Sequence, residues 1–279
     1  MTTTAHRLLI SSSSTPWDIR TARYSGKVNT LIPTDTNYGM FMTRDGNHMF
    51  FGNDNDQEVN RWDMSTPWDI TTATRAQAST VAVAGKRSEF GLYFNSTGTK
   101  MYGLSNSYDS VSQFSLSTPW NLNTLSFDNV EFSVLFLEHN CRGLHFSTDG
   151  SKMYIGGDNN DVVYQCTLST PWNIATATYD NISKALNGVG NQSTDNRSFY
   201  FKPDGTKVYM APHGFGGNAN VFQWSLSTPW NLATATFDNV QISMSGTASQ
   251  GASGLSFRSD GRAFYITGLV ERDVFEFLI

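Results

Sequence analysis

Apolar and variable positions alternate in five short segments of the chain, and each segment ends in a turn signal. The segments begin at residues 39, 91, 143, 198 and 254, and the first reads Gly-Met-Phe-Met-Thr-Arg-Asp-Gly. Alternation with a period of two predicts a β-strand, because successive side chains point to opposite faces. The Asp-Gly pair predicts a tight turn, since glycine tolerates a positive φ. Thr97 replaces the aspartate in the second segment, where we still expect a turn at Gly98.

Three more strands complete each repeat. An apolar triplet such as Met153-Tyr154-Ile155 follows the turn, and a fourth strand such as Ala177-Thr178-Tyr179 ends the repeat. Between them lies a third strand, whose five copies begin at Val59, Val111, Val163, Val221 and Val274. Four short antiparallel strands per repeat, with no helical stretch, predict one blade of a β-propeller.

A phrase of the form Ser-Thr-Pro-Trp-(Asp/Asn)-(Ile/Leu)-x-Thr links the third strand to the fourth. Its tryptophans are Trp17, Trp68, Trp120, Trp172 and Trp230. The phrase therefore recurs every ~50 to 60 residues, which is a spacing typical of repeat architectures.

The two ends of the chain predict how the repeats close into a ring. Ile279 aligns with Leu168, the residue just before the phrase, so the last repeat lacks its phrase and its fourth strand. Both are present near the start of the chain, from Ser14 onward. We predict an all-β fold, a single five-bladed β-propeller over residues 14–279 whose last blade is closed by the N-terminal strand, leaving no open edge. Residues 1–13 would be an N-terminal extension or attachment arm through which copies of the chain could associate.

Composition and charge narrow the range of partners. Charged residues make up 15% of the chain, and the net charge is −5 without any run of Lys or Arg. Phosphate binding requires clustered positive charge, so we expect no nucleic-acid partner. The apolar run Leu8-Leu9-Ile10 is too short for a signal peptide, and no stretch approaches the ~20 apolar residues of a membrane helix. We therefore expect neither export by a cleaved signal nor membrane insertion.

Two cysteines fit no metal-binding spacing. Cys166 occupies a position that is Trp62, Phe114 or Trp224 in other repeats, which favours a buried apolar role. A disulfide with Cys141 is the less favoured alternative.

The five tryptophans allow two interpretations. They could form a ring of lectin-like pockets, because indole faces stack on sugars, or they could be structural anchors that wedge the blades. A residue that recurs in every blade is best explained by a packing role that every blade needs, so the structural interpretation is favoured.

The variable position of the first strand is a candidate binding position. Its residues are Phe41, Tyr93, His145, Tyr200 and Ser256. If this strand is innermost, the aromatic side chains approach the central channel, where they could grip an apolar ligand. Plugging of a narrow channel is the favoured alternative.

The loops between the second and third strands hold further candidates. The fourth is the longest, and its His213 and Phe215 could contact a partner, or the insertion could be without function. The stretches 54–56 and 158–161 are rich in Asp and Asn. Calcium would require several oxygen ligands from one loop, and ordinary solvated turns are the favoured interpretation.

Little in the sequence points to catalysis. The five histidines are scattered, and no Ser-His-Asp order, phosphate loop or His-x-x-x-His spacing occurs. Propeller lactonases and glycosidases carry carboxylates at the channel mouth, whereas the central positions of the first strands here carry none. We predict that the chain is not an enzyme and has no catalytic residues, cofactor or metal.

The hairpin with its Asp-Gly turn and apolar-Tyr second strand resembles YVTN-type propellers. The Ser-Thr-Pro-Trp phrase is similar to repeats in propeller-like proteins of bacteriophages and aquatic bacteria, including fibre-like virion proteins. This resemblance implies a non-enzymatic structural or binding module: a virion component such as a fibre, decoration or receptor-contacting protein, assembled in the host cytoplasm. Its partners would be other virion proteins or a host surface glycan. The alternative is a carbohydrate-binding, lectin-like propeller in the cytoplasm or on the surface of a bacterium.

Overall fold

The described part of the chain folds into five like sheets. The computed structural model describes residues 14–30, 37–53, 58–80, 91–137, 139–186, 198–212, 220–244, 247–248, 251–268 and 272–279. Within these residues, twenty strands form five four-stranded antiparallel sheets. The first strand of each sheet contacts the first strand of the next, and the fifth contacts the first. The predicted all-β, five-bladed β-propeller is confirmed.

The strand boundaries agree with the repeat pattern. In chain order the strands are β1 (Arg23–Asn29), β2 (Asn37–Met42), β3 (His48–Asn53), β4 (Glu58–Met64), β5 (Ala73–Thr80), β6 (Gly91–Phe94), β7 (Lys100–Ser105), β8 (Ser110–Leu116), β9 (Leu125–Ser133), β10 (Cys141–Phe146), β11 (Lys152–Gly157), β12 (Val163–Leu168), β13 (Ala177–Lys184), β14 (Phe199–Phe201), β15 (Lys207–Met210), β16 (Asn220–Leu226), β17 (Ala235–Ser243), β18 (Ala252–Phe257), β19 (Ala263–Gly268) and β20 (Val274–Leu278). Blade one contains β2 to β5, blade two β6 to β9, blade three β10 to β13 and blade four β14 to β17. Each third strand starts at its predicted valine or one residue before it.

Blade five joins the two ends of the described chain. It contains β18, β19 and β20, and its outer strand is β1. Strand β1 pairs antiparallel with β20, with Arg23 opposite Leu278 and Asn29 opposite Val274. The N-terminal strand thus completes a sheet of three C-terminal strands, and the predicted closure is confirmed. The predicted arm, residues 1–13, lies outside the described residues.

The core lies between neighbouring blades. Tyr102 and Leu104 of blade two pack in one cluster with Phe146 and Ile155 of blade three. Tyr102 and its equivalents in blades three to five are fully buried. Each such ring removes ~150–250 Å² from water, so the faces of adjacent sheets stabilise one another. Cys166 belongs to the same cluster, and both cysteines are buried thiols, as the favoured interpretation held.

The linking phrase adds one element that the strand pattern does not predict. In every repeat it forms a single three-residue 3-10 turn, and the all-β prediction holds. The turns are Ile19–Thr21, Ile70–Thr72, Leu122–Thr124, Ile174–Thr176 and Leu232–Thr234. The Asp or Asn of the phrase caps each turn, as when the side chain of Asn173 accepts a hydrogen bond from the N–H of Ala175. None of the helical segments in this part of the chain has the length and apolar character needed to cross a bilayer.

Candidate ligand-binding site

The tryptophan of every repeat has a left-handed backbone. The φ angles are 69° at Trp17, 66° at Trp68, 62° at Trp120, 64° at Trp172 and 63° at Trp230. This conformation costs a bulky residue roughly 1–2 kcal/mol and persists only where surrounding contacts enforce it. The contacts of the linking phrase must therefore outweigh that cost in all five blades.

Each indole packs on the hairpin turn of its own blade. A β-carbon built on Gly150 would lie 2.3 Å from the ring of Trp172, so one indole face rests directly on this glycine. The same contact joins Trp17 to Gly261 across the chain closure. Tyr93 and Phe146 pack nearby, with ring centroids 6.4 and 5.6 Å from that of Trp172. The indoles are half-buried, and one face of each is occupied by a turn.

The main chain of the tryptophan connects two blades. The N–H of Trp172 donates to the carbonyl of Gly150 at 3.0 Å, and its own carbonyl accepts from the hydroxyl of Tyr102 in the preceding blade at 2.6 Å. The same hydroxyl contact, which we call the tyrosine latch, occurs at three further junctions: Tyr154 with Trp230, Tyr209 with Trp17 and Tyr265 with Trp68.

A glutamine supports the same junctions. Gln165 accepts from the N–H of Leu232 in the next blade at 2.8 Å and donates to Asp180 at 2.7 Å. Gln113 and Gln223 make the equivalent contacts in blades two and four. The linking phrase is thus held by its own turn and by the blade before it.

The junction between blades one and two uses different residues for the same bonds. Phe50 stands where other blades have the latch tyrosine and carries no hydroxyl. Arg61 donates to the carbonyl of Trp120 at 3.1 Å instead, and Gln77 accepts from the N–H of Leu122 at 2.9 Å. The same main-chain carbonyl and N–H groups are therefore hydrogen-bonded at this junction, but by different side chains.

Four of the predicted binding residues lie side by side around the central channel. The ring centroids of Phe41 and Tyr93 are 5.3 Å apart, those of Tyr93 and His145 4.8 Å, and those of His145 and Tyr200 5.2 Å. We call these four residues the aromatic arc. Blade five contributes Ser256 at the equivalent position, so the arc does not close. A cavity of about 90 Å³ lies beside the arc and Ser256, and the predicted plug is therefore incomplete.

The cavity opens at the end of the channel where the first hairpins turn, which we call the turn-side mouth. Residues of the turns line it, namely Arg44, Ser96, Thr148 and Pro203. A second depression of about 180 Å³ adjoins it and shares Met42, Arg44, Tyr200 and Pro203 with it. Trp120, Trp172 and Trp230 also line the first cavity.

The opposite end of the channel is narrower. A cavity of only about 20 Å³ lies there. The inner strands approach closely at this end, because a β-carbon on Gly91 would lie 2.7 Å from the β-carbon of Leu144, and one on Gly254 would lie 2.6 Å from that of Met40. Of the two ends of the channel, as the described residues form them, the turn-side mouth is therefore the one with room for a ligand of more than a few atoms.

His145 is the deepest polar member of the arc. Its side chain is 95% buried, and burial lowers its pKa to about 3, so the ring is neutral at physiological pH. Its Nε2 accepts a 3.4 Å hydrogen bond from the N–H of Phe201, and we therefore assign the proton to Nδ1. Nδ1 has no hydrogen-bond partner among the described residues. A buried donor without a partner at hydrogen-bonding geometry thus belongs to a residue that lines the cavity.

The two tyrosines of the arc differ in their hydroxyl contacts. Burial raises the pKa of both, that of Tyr200 to about 12, so both are neutral donors. Tyr93 donates to the carbonyl of Phe146 at 3.2 Å. The hydroxyl of Tyr200 has no partner in the described part of the chain and remains available at the mouth.

Arg44 is a functional candidate that the sequence analysis missed. Its guanidinium is exposed at the mouth and makes no ion pair or hydrogen bond within the described ranges. The equivalent residues of the other blades are Ser96, Thr148, Pro203 and Ser259, none of which is charged. Arg44 could have been identified from the sequence, because it is the one charged residue at a repeat position that is uncharged in the other four blades.

The remaining sequence candidates do not join this site. His213 and Phe215 lie outside the described residues, as do residues 54–56 of the first acidic loop. In the third loop, Asp158 pairs with Arg142 at 2.8 Å and accepts from Asn140. Among the described residues, no group of three or more His, Cys, Asp or Glu is suited to a metal ion.

Comparison with known proteins supports the fold. No protein-family model matches the chain, and no curated protein is significantly similar to it. Among solved structures, the Swd1 β-propeller domain of Myceliophteria thermophila is 9% identical with a TM-score of 0.51, over 92% of this chain and 99% of that domain. A protein of unknown function from Desulfotomaculum acetoxidans is 13% identical with a TM-score of 0.50, over 84% of this chain. The chain spans about 63% of that protein's length.

A third similar structure corrects the prediction that the chain is not an enzyme. It is the periplasmic gluconolactonase of Pseudomonas aeruginosa, 14% identical with a TM-score of 0.50, over 82% of this chain and 62% of that one. Because a protein named as an enzyme shares the fold, the prediction from sequence is wrong: the propeller architecture and the missing motifs do not exclude catalysis. At this identity the likeness establishes the fold alone.

Proposed function

We propose that the chain is a binding module that takes one sugar unit of a surface glycan at the turn-side mouth. The observation that carries this proposal is the incomplete aromatic arc with its open cavity. Aromatic walls stack on the C–H faces of sugars, while fixed polar groups select their hydroxyls. Nδ1 of His145 is a donor without a partner among the described residues, and Tyr200 contributes a hydroxyl to the lining of both depressions.

The dimensions suit a terminal sugar ring. A cavity of about 90 Å³ is smaller than the roughly 150 Å³ that holds a benzene molecule, so it takes part of a ring. The adjoining depression gives the rest of the ring, and the glycan behind it, a place at the surface. Rigid inter-blade latches hold the walls in position, which reduces the ordering that binding must pay for.

Variants of Ser256 test the site. Ser256→Phe places a ring where the other four blades already have one and fills the cavity, whereas Ser256→Ala leaves it open. On a glycan array, wild type and Ser256→Ala should bind the same sugars, and Ser256→Phe should lose them at an unchanged Tm. If the larger side chain destabilises the blade, Tyr200→Phe removes one hydroxyl without changing the shape and should weaken the same signals. An array without any reproducible sugar binding by the wild type would refute the proposal.

For the biological context, we propose a receptor-contacting component of a phage virion. The support is the likeness of the Ser-Thr-Pro-Trp phrase to repeats of fibre-like virion proteins. Mass spectrometry of purified virions from the source should find the chain among the particle proteins. Its absence from the particle, with sugar binding intact, would favour the alternative of a bacterial lectin-like propeller.

A further inference from the structure

The turn-side mouth carries one unpaired positive charge above an aromatic wall. We infer that its ligand is an acidic sugar, whose carboxylate is held by Arg44 while its ring stacks in the aromatic arc. This inference rests on the proposed function and adds the chemical class of the sugar and the residue that selects it.

The first argument is the isolation of Arg44. Two other cations near the turns are already paired: Lys202 lies 2.7 Å from Asp204 and Arg258 3.2 Å from Asp260. Arg44 has no such partner in the described part of the protein, and its sequence neighbour Asp45 accepts hydrogen bonds from Thr43 and Asn47. The guanidinium therefore keeps all of its donors for a ligand.

The second argument is the composition of the walls. Neither the cavity nor the adjoining depression is lined by a carboxylate among the described residues. Among the described residues that line these two depressions, Arg44 is therefore the one that carries a charge. Arg44 lines both depressions, so a carboxylate bound by Arg44 would lie next to a sugar ring bound in the adjoining cavity. An arginine fork matches a carboxylate with two parallel hydrogen bonds.

The third argument is the position of the donors around the arc. Arg44 lines the same cavity as Tyr93 and Tyr200. Burial raises the pKa of both tyrosines, and the charge of Arg44 lowers it by a smaller amount. Below them, Nδ1 of His145 is a buried donor without a partner. A ligand that spans the site thus meets a cation at the rim and a neutral donor at the base. A sugar acid carries both a carboxylate and hydroxyls on one ring.

Matched pairs of sugars test this inference on the full chain. The probes are methyl β-glucopyranoside and methyl β-glucopyranosiduronate, with the corresponding galactose pair, titrated by ligand-observed NMR. Wild type should bind a uronate more tightly than its neutral partner. Arg44→Ser, which installs the residue of blade two, should weaken uronate binding roughly 10- to 100-fold, as expected for a lost charged hydrogen bond. Binding of the neutral sugar should change less than about twofold, as in an exposed substitution away from its contacts.

The controls separate this inference from the proposed function. Arg258→Ser removes an arginine of the same rim that is already paired, and it should change neither affinity. Acetate, which has the charge without the ring, should not displace the uronate at equal concentration. Neutral sugar binding without a preference for the uronate, or an equal preference in Arg44→Ser, would overturn the inference and leave the proposed function standing. Failure of all four sugars to bind would overturn both.

Discussion

The hydroxyl of Tyr154 donates a 2.5 Å hydrogen bond to the main-chain carbonyl of Trp230 in the next blade. That carbonyl belongs to a residue in the left-handed conformation, whose N–H donates to the carbonyl of Gly205 at 3.0 Å. One strained residue is therefore fixed from two sides, by its own hairpin and by its neighbour. The repetition of this arrangement explains why the phrase is retained in every blade while the loops vary.

We predict that Tyr154→Phe destabilises the protein by about 1–3 kcal/mol, because it leaves a buried carbonyl without its donor. Chemical denaturation measures the loss. Tyr24→Phe is the matched control, since Tyr24 is 40% exposed, and it should change the free energy of unfolding by less than about 0.5 kcal/mol. Equal effects of the two substitutions would mean that the latch adds nothing to stability.

Glycine at the hairpin turn is required for two separate reasons, and a pair of variants can separate them. Gly150→Ala adds a β-carbon 2.3 Å from the indole of Trp172 at a φ of 74°. Gly26→Ala has a comparable φ of 87° with no atom within 4 Å of the new carbon. We expect about 1–2 kcal/mol of destabilisation for Gly26→Ala from the backbone alone.

The overlap with the indole should raise the cost of Gly150→Ala to about 4 kcal/mol or more, in the range of a disrupted core. Thermal and urea unfolding of both variants provide the comparison. Similar losses for the two would indicate that the indole moves aside at little cost.

The sequence predicted the closed ring because the information lies in spacing. Gly261 and Ile279 leave room for two strands after the last turn, and the phrase at Trp17 supplies what is missing. The same alignment identified Phe41, Tyr93, His145 and Tyr200 as equivalent positions. Spacing and alternation are properties of the sequence that do not depend on contacts, so the repeats could be identified without a structure.

The parts that could not be predicted depend on contacts between blades. The positive φ of the tryptophans follows from the glycine surface beneath each indole. Arg61 takes over the role of a latch tyrosine from a different strand. This role can be recognised only from the hydrogen bond that Arg61 donates to the carbonyl of Trp120. Arg44 was not identified from the sequence, and its lack of an ion-pair partner among the described residues is visible only in the structure.

We predict that acid destabilises the protein by protonating Asp238 in blade four. Burial raises the pKa of this carboxyl, but hydrogen bonds from Gln223, Lys207 and Ser225, with the charge of Lys207, lower it further, so the net value lies below the ordinary 3.8. A lowered pKa contributes stability above pH 3.8 that is lost as the pH falls through the folded-state value. Asp238→Asn should therefore be less stable than wild type at pH 7, and the difference should shrink below about pH 4.

Thermal unfolding of both proteins from pH 7 to pH 3 checks this expectation. Asp260→Asn is the control, because the exposed pair of Asp260 with Arg258 should contribute little at any pH. A constant difference between Asp238→Asn and wild type across the range would mean that the carboxylate charge is not the stabilising feature.

His145 should make the protein sensitive to acid at a higher pH. Burial lowers its pKa from 6.5 to about 3, so the unfolded chain binds a proton that the folded ring refuses, and stability falls as the pH drops from 6.5 toward 3. Relative to wild type, His145→Phe should gain about 2 kcal/mol between pH 6.5 and pH 5, measured by urea unfolding at each pH. His139→Gln removes an exposed histidine and should follow the wild-type curve. Parallel curves for His145→Phe and wild type would contradict a neutral, buried ring at the base of the mouth.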